Sequence, residues 1–183
     1  VWGVRRASPL AALFLFANRG PVALGLVTRS LPCPAVFLSR CHPAGQQRPT
    51  PLLCQSGPCD YICLHHDLYG EHVFPLQVAV LLSRPGEDFT GGEFVLTEQR
   101  PRMQSRPEVV PLAQGDAVLF AVHHRPVRGV RRFYRVNMRH GVITVRTGKR
   151  HPLGIILHDP QVAPAVLSTN RGKKRDCTIL GLF

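Results

Sequence analysis

The amino-acid sequence predicts an all-β domain, a sandwich or a barrel, lying between Pro49 and Pro160. Three observations carry that prediction. Short apolar runs of β-branched and aromatic residues follow one another through this stretch, and Gly, Pro, Asn and Asp separate them. No helical period is sustained long enough to compete. The composition changes at both borders of the stretch, from acid-free before it to patternless after it. At 183 residues the chain is long enough for one domain with a real core.

The strand candidates come in order. Asp60 to His65 is the first, and Leu76 to Leu82 is a stronger one, ended by Ser83-Arg84-Pro85-Gly86. Gly91-Gly92 opens Glu93 to Thr97. A basic loop then begins at Arg100-Pro101-Arg102 and is left at Val109-Val110. Gln114-Gly115-Asp116 turns into Ala117 to Val122. Tyr134 to Met138 and Gly141 to Val145 are two further candidates, and Leu153 to His158 is the last. No internal repeat is visible.

The borders divide the chain into 1–48, 49–160 and 161–183. The first segment has Val4-Arg5-Arg6 followed by an apolar run, Pro9 to Ala17, far too short to span a bilayer. Secretory leaders share the first feature, and organelle transit peptides share the Arg-rich, acid-free composition. The reading adopted is a basic extension, poorly ordered or foreign, with a linker near Pro43 to Pro49. The chain opens on Val, as a fragment or processed product would. The last segment reads as a basic tail, around Asn170 to Arg175. The localisation expected is cytoplasmic, with no membrane association.

The formal net charge of +12 raises nucleic acid or an acidic membrane as a partner. Its distribution argues otherwise. Residues 1–48 hold six Arg and no acid, and residues 161–183 four basic residues against one acid. The central segment balances thirteen basic residues with ten acidic ones. No nucleic-acid motif accompanies the charge, so nucleic acid is a secondary reading. Of the six Cys, Cys54, Cys59 and Cys63 cluster beside His65 and His66, but at a spacing no common zinc site uses. Reduced thiols are the plainer reading.

The chemistry points to His65-His66-Asp67. On a strand, residues two apart share a face, so His65 and Asp67 can reach one metal while His66 turns away. His140, opening a later β-type run, is placed to supply a third ligand. Two imidazoles and one carboxylate leave coordination positions open, a set suited to Fe(II). Arg150, ten residues after His140, offers a planar fork for the far carboxylate of a chelating dicarboxylate. Arg146 is its alternative if the strand register differs. His123 and His124 are rival ligands without a downstream Arg at that spacing.

These motifs, with Gly91-Gly92-Glu93-Phe94, Gly115 to Phe120 and Leu153 to Asp159, resemble in order and spacing the Fe(II)- and 2-oxoglutarate-dependent oxygenases, in their prolyl-4-hydroxylase-like branch. The resemblance covers 49–160. It implies a double-stranded β-helix, or jelly-roll barrel, whose usual bracing helices before the barrel have no counterpart that residues 1–48 resemble. It also implies metal ligands His65, Asp67 and His140, with Arg150 on the distal carboxylate of 2-oxoglutarate. Tyr61, four residues before His65, is either a hydrogen-bond donor to that co-substrate or a core aromatic. The cofactors implied are Fe(II), 2-oxoglutarate as small-molecule co-substrate and O₂, with ascorbate as a further candidate. The activity implied is hydroxylation of an unknown substrate, a prolyl or other protein side chain, with release of succinate and CO₂. The competing readings are an inactive or truncated metal-binding barrel and a protein that binds or acts on nucleic acid.

Overall fold

The computed structural model describes residues 17, 34–47, 50–157 and 176–179. Their elements are α1 (Pro34–Cys41), β1 (Thr50–Gln55), β2 (Ile62–His65), β3 (Leu76–Leu81), β4 (Phe89–Gly91), β5 (Phe94–Gln99) and β6 (Ser105–Val110), then β7 (Ala117–Ala121), β8 (His124–Arg128), β9 (Phe133–Val142), β10 (Val145–Gly148), β11 (Pro152–Ile156) and β12 (Asp176–Ile179). One sheet runs β12-β1-β11-β3-β7. A second runs β2-β9-β5-β6, with β8 also on β9, and β4 pairs β10 separately. All these strand pairs are antiparallel. The chain passes repeatedly between the two sheets, as in β1 to β2 to β3 and β7 to β9 to β11. That winding makes the fold a jelly-roll, the architecture expected of the sequence.

The two sheets meet on apolar residues that alternate along each strand. Phe94 and Val142 from the second sheet and Phe120 from the first form one buried cluster, with Ile62, Leu96, Ala79 and Val118 packed on it. Leu81, Phe89 and Val145 form another. Burying each such side chain stabilises the fold by about 1.5–3 kcal/mol.

Several expectations are corrected. Tyr134 to Met138 and Gly141 to Val145 are not two strands, because β9 runs unbroken from Phe133 to Val142 through His140. Gly141 is an interior residue of β9, and its missing Cβ has a local use: a Cβ there would lie 2.6 Å from the Ile62 carbonyl oxygen of β2. The basic loop after Arg100 is in fact strand β6, and the stretch after His123 is β8. Each carries a proline and each is largely exposed, so neither shows the alternation that marks a half-buried strand. β1 and β12 were also unforeseen.

The extension at 1–48 is not structureless where it is described. Helix α1 buries Phe37 and Cys41 in a cluster with Ala17 and Phe74. The Phe37 and Phe74 rings pack edge to face, with centroids 5.4 Å apart. A bracing helix is thus present, and an 8-residue turn of mixed polarity was too short to read as one. The rest of 1–33, and the expected tail outside 176–179, lie outside the described residues.

Candidate metal centre

β2 and β8 lie end to end along one side of β9, while β5 covers its other side. The β2 register slips between Ile62 and His65, which sets His65 directly opposite His140. Their ring centroids are 4.2 Å apart. β2 ends at His65, so Asp67 comes from the loop that follows and not from the strand. The expected pairing of His65 with Asp67 holds, but a bulge and a loop produce it.

The Asp67 carboxylate sits between the two imidazoles. His65 Nε2 is 3.2 Å from Oδ1, and His140 Nε2 is 3.2 Å from Oδ2. The candidate ligand atoms of all three residues lie within 4.8 Å of one another. This is the one such His/Cys/Asp/Glu group among the described residues. Cys54, Cys59 and Cys63 form none, and neither do His123 and His124. His66 turns away, as expected, although it lies in the loop after β2: its Nε2 is 2.9 Å from Asn137 Oδ1 and its ring rests on that of His123.

Two side chains hold the carboxylate that the sequence reading did not name. The Tyr69 hydroxyl donates to Oδ1 at 2.8 Å, and Gln77 Nε2 donates to Oδ2 at 2.8 Å. The His65 Nδ1–H can donate to the Cys63 carbonyl, 2.8 Å away, which leaves the Nε2 lone pair facing the centre. Burial pushes the Asp67 carboxyl up, but the hydrogen bonds of His140 and His65, and their charge once protonated in acid, outweigh it and hold the group well below its usual range. Burial lowers His140, only partly offset by Asp67. We take the centre at neutral pH as an ionised carboxylate beside a neutral His140, the protonation states a metal requires.

Arg150 precedes β11 and bridges Ser56 through two backbone hydrogen bonds, of 2.8 and 2.9 Å. Ile156 faces Gln77 and Pro152 faces Leu81 in register. Alternation therefore puts Arg150 on the sheet face that Gln77 uses, the barrel interior. Arg150 is only 2% exposed, and its Nε and Nη1 have no partner among the described residues. Burial lowers its pKa to about 10. Gly92 makes room for it, since a Cβ there would lie 2.9 Å from Arg150 Cδ. Arg146, the alternative cation, is exposed on β10. Tyr61 is 38% exposed, before β2 begins.

The residues fit the group their chemistry implies. Two imidazoles and a carboxylate that converge within ligand distance suit Fe(II), and a buried guanidinium with unmet donors suits a dicarboxylate. The jelly-roll and this face of ligands define the class of the 2-oxoglutarate- and Fe(II)-dependent oxygenase fold. Within that class the chain belongs to the Oxygenase-NA family, described as an oxygenase catalysing oxidative methylation of damaged DNA, whose model matches residues 6–160. That match begins well inside the segment read as an extension. In two strains of Mycobacterium tuberculosis an uncharacterized protein is 50% identical over 123 residues, 67% of this chain and 53% of the relative. The chain thus spans about half the length of the curated relatives it matches. A crystal structure from Burkholderia pseudomallei, described as an oxidoreductase of the 2OG-Fe(II) oxygenase family, is similar at TM-score 0.42 and 23% identity, over 61% of this chain and 44% of that one.

Proposed function

We propose that the protein is an Fe(II)- and 2-oxoglutarate-dependent oxygenase that hydroxylates a nucleic-acid base. The observation that carries the oxygenase reading is the convergence of His65, Asp67 and His140 on one point inside the barrel. When bound, Fe(II) with 2-oxoglutarate and O₂ supplies the oxidant that turns a substrate C–H into C–OH, as 2-oxoglutarate is split into succinate and CO₂. The chain's own residues do the rest. Tyr69 and Gln77 orient the Asp67 carboxylate. The Cys63 carbonyl sets the His65 tautomer. Arg150 offers its unmet donors to the distal carboxylate of 2-oxoglutarate. Ascorbate is a candidate auxiliary reductant, and the cytoplasm the location proposed.

For the substrate, the family's description names damaged DNA, and it supports nucleic acid over the prolyl or other protein side chain expected from the sequence. The test is anaerobic addition of Fe(II) and 2-oxoglutarate, followed by visible absorption. A weak charge-transfer band is expected, then succinate release on admitting O₂. His140→Ala removes a metal ligand and abolishes both. A folded protein that shows neither, or a His140→Ala variant that keeps both, rejects the reading in favour of a non-catalytic barrel.

A further inference from the structure

The edge strands β6 and β7 flank an open side of the barrel, and a cleft of about 540 Å³ lies there. Leu96, Phe120 and Met138 make an apolar wall in it. The metal centre shares that wall. The Phe120 ring centroid is 4.8 Å from that of His140, and Leu96 stands opposite His140 in register. Arg100, Arg106 and Arg125 line the same cleft. Glu98 accepts from Arg100 Nε at 2.9 Å and pairs with Arg125 as well, so two of the three guanidiniums are held in place. Glu108 is the remaining acid of the lining.

We propose that this cleft receives one nucleotide of a single-stranded nucleic acid, its base on Leu96, Phe120 and Met138 and its phosphates on Arg100, Arg106 and Arg125. The proposal rests on the oxygenase reading above and adds the place and form of its substrate. The burial of the centre argues for the single strand. Asp67 and His140 are 5% and 7% exposed, so a base still stacked in a duplex cannot present its atoms to them. A planar guanidinium pairs with phosphate through two parallel hydrogen bonds. A flat base with apolar faces fits a wall of phenyl ring, thioether and leucine. An acidic peptide would engage the arginines alone and leave that wall uncovered. Glu108 offers an acceptor to an exocyclic amino group of the base.

The experiment measures binding of a short single-stranded DNA by fluorescence anisotropy at several salt concentrations. Arg106→Gln, at an exposed position of an edge strand, and Arg125→Gln are each expected to weaken binding about fivefold and to flatten the salt slope by about one. A fully abasic strand with the same phosphates is expected to bind about tenfold more weakly than the base-bearing one. Arg84→Gln, outside the cleft, is expected to change nothing. Equal losses for Arg84→Gln and Arg106→Gln overturn the proposal, as does equal affinity for the abasic strand. A polyglutamate peptide that binds as tightly as DNA, with the same loss in Arg106→Gln, replaces it with an acidic-peptide site. The visible band with Fe(II) and 2-oxoglutarate is recorded on the same preparation. A band with cleft-independent DNA binding rejects the cleft and keeps the oxygenase. Cleft-dependent binding without a band rejects the oxygenase and keeps the nucleotide site.

Discussion

Arg150 is a cation buried at 2% exposure, and its Nε and Nη1 lack partners among the described residues. A guanidinium so placed costs the fold stability until a carboxylate meets it. Two outcomes follow, in opposite directions. Arg150→Met removes the unpaired charge and keeps the packing, so it raises the urea midpoint of the protein without co-substrate while abolishing 2-oxoglutarate binding. Arg150→Lys keeps a charge but loses the fork, and weakens 2-oxoglutarate by roughly 10- to 100-fold, the worth of a charged hydrogen bond. An Arg150→Met protein that is less stable and still binds would show the residue to be structural. His65, Asp67, His140 and Arg150 were legible in the sequence because few residue types do metal and carboxylate chemistry, and their order limits the choices. Gln77 and Tyr69 were not. Gln77 is the lone polar residue of an apolar strand, and inward alternation was the available signal for it. Tyr69 follows Asp67 by two, but in a loop whose path no periodicity reveals.

At the scale of elements, the loop carrying Asp67 and Tyr69 is held from outside the barrel. Gln46, fully buried after α1, donates from Nε2 to the Tyr69 and His72 carbonyls at 3.1 and 3.0 Å and accepts from the His72 N–H at 2.8 Å. Gly70 lies against it with φ +108°, and a Cβ there would come within 2.5 Å of Gln46 Cδ. Gln46→Ala strands these buried backbone groups and is expected to cost about 2–3 kcal/mol in urea unfolding. It is also expected to weaken Fe(II) binding, because the Asp67 loop loses its anchor. Phe37→Ala, on α1, is expected to cost about 3 kcal/mol through the cavity it leaves against Phe74. Unchanged metal affinity in a destabilised Gln46→Ala protein would separate the helix segment from the site. None of this was legible, because the contacts join residues more than twenty positions apart. The strands were legible where one face is buried, as in β3, and illegible where both faces meet solvent, as in β6.

Across the whole molecule, part of the charge of the central segment is gathered by the fold. Arg100, Arg106 and Arg125 come from separate stretches of the mildly basic centre and meet at one cleft. The histidines gather likewise, and they make the protein's stability depend on pH in a fixed direction. His123 is lowered to about 4 by burial and by the charges of His124, His66 and Arg139, and burial also lowers His124 and His140 from 6.5. A base whose folded pKa is depressed takes up its proton more readily in the unfolded chain. Stability is therefore full above about pH 6.5 and declines as pH falls toward 4. Asp67 acts elsewhere. Its depressed carboxyl contributes fully above the ordinary carboxylate value of about 3.9 and is lost only below that. Fe(II) sharpens the profile, since it binds only deprotonated imidazoles. Urea unfolding under anaerobic conditions is expected to show a large gain in midpoint from Fe(II) at pH 7.5 and little or none at pH 5. His140→Ala should erase the gain at pH 7.5 and, by removing one depressed base, also soften the metal-free decline. A gain that is the same at both pH values would mean that the ion binds carboxylates elsewhere on the surface, not the two imidazoles facing each other across β2 and β9.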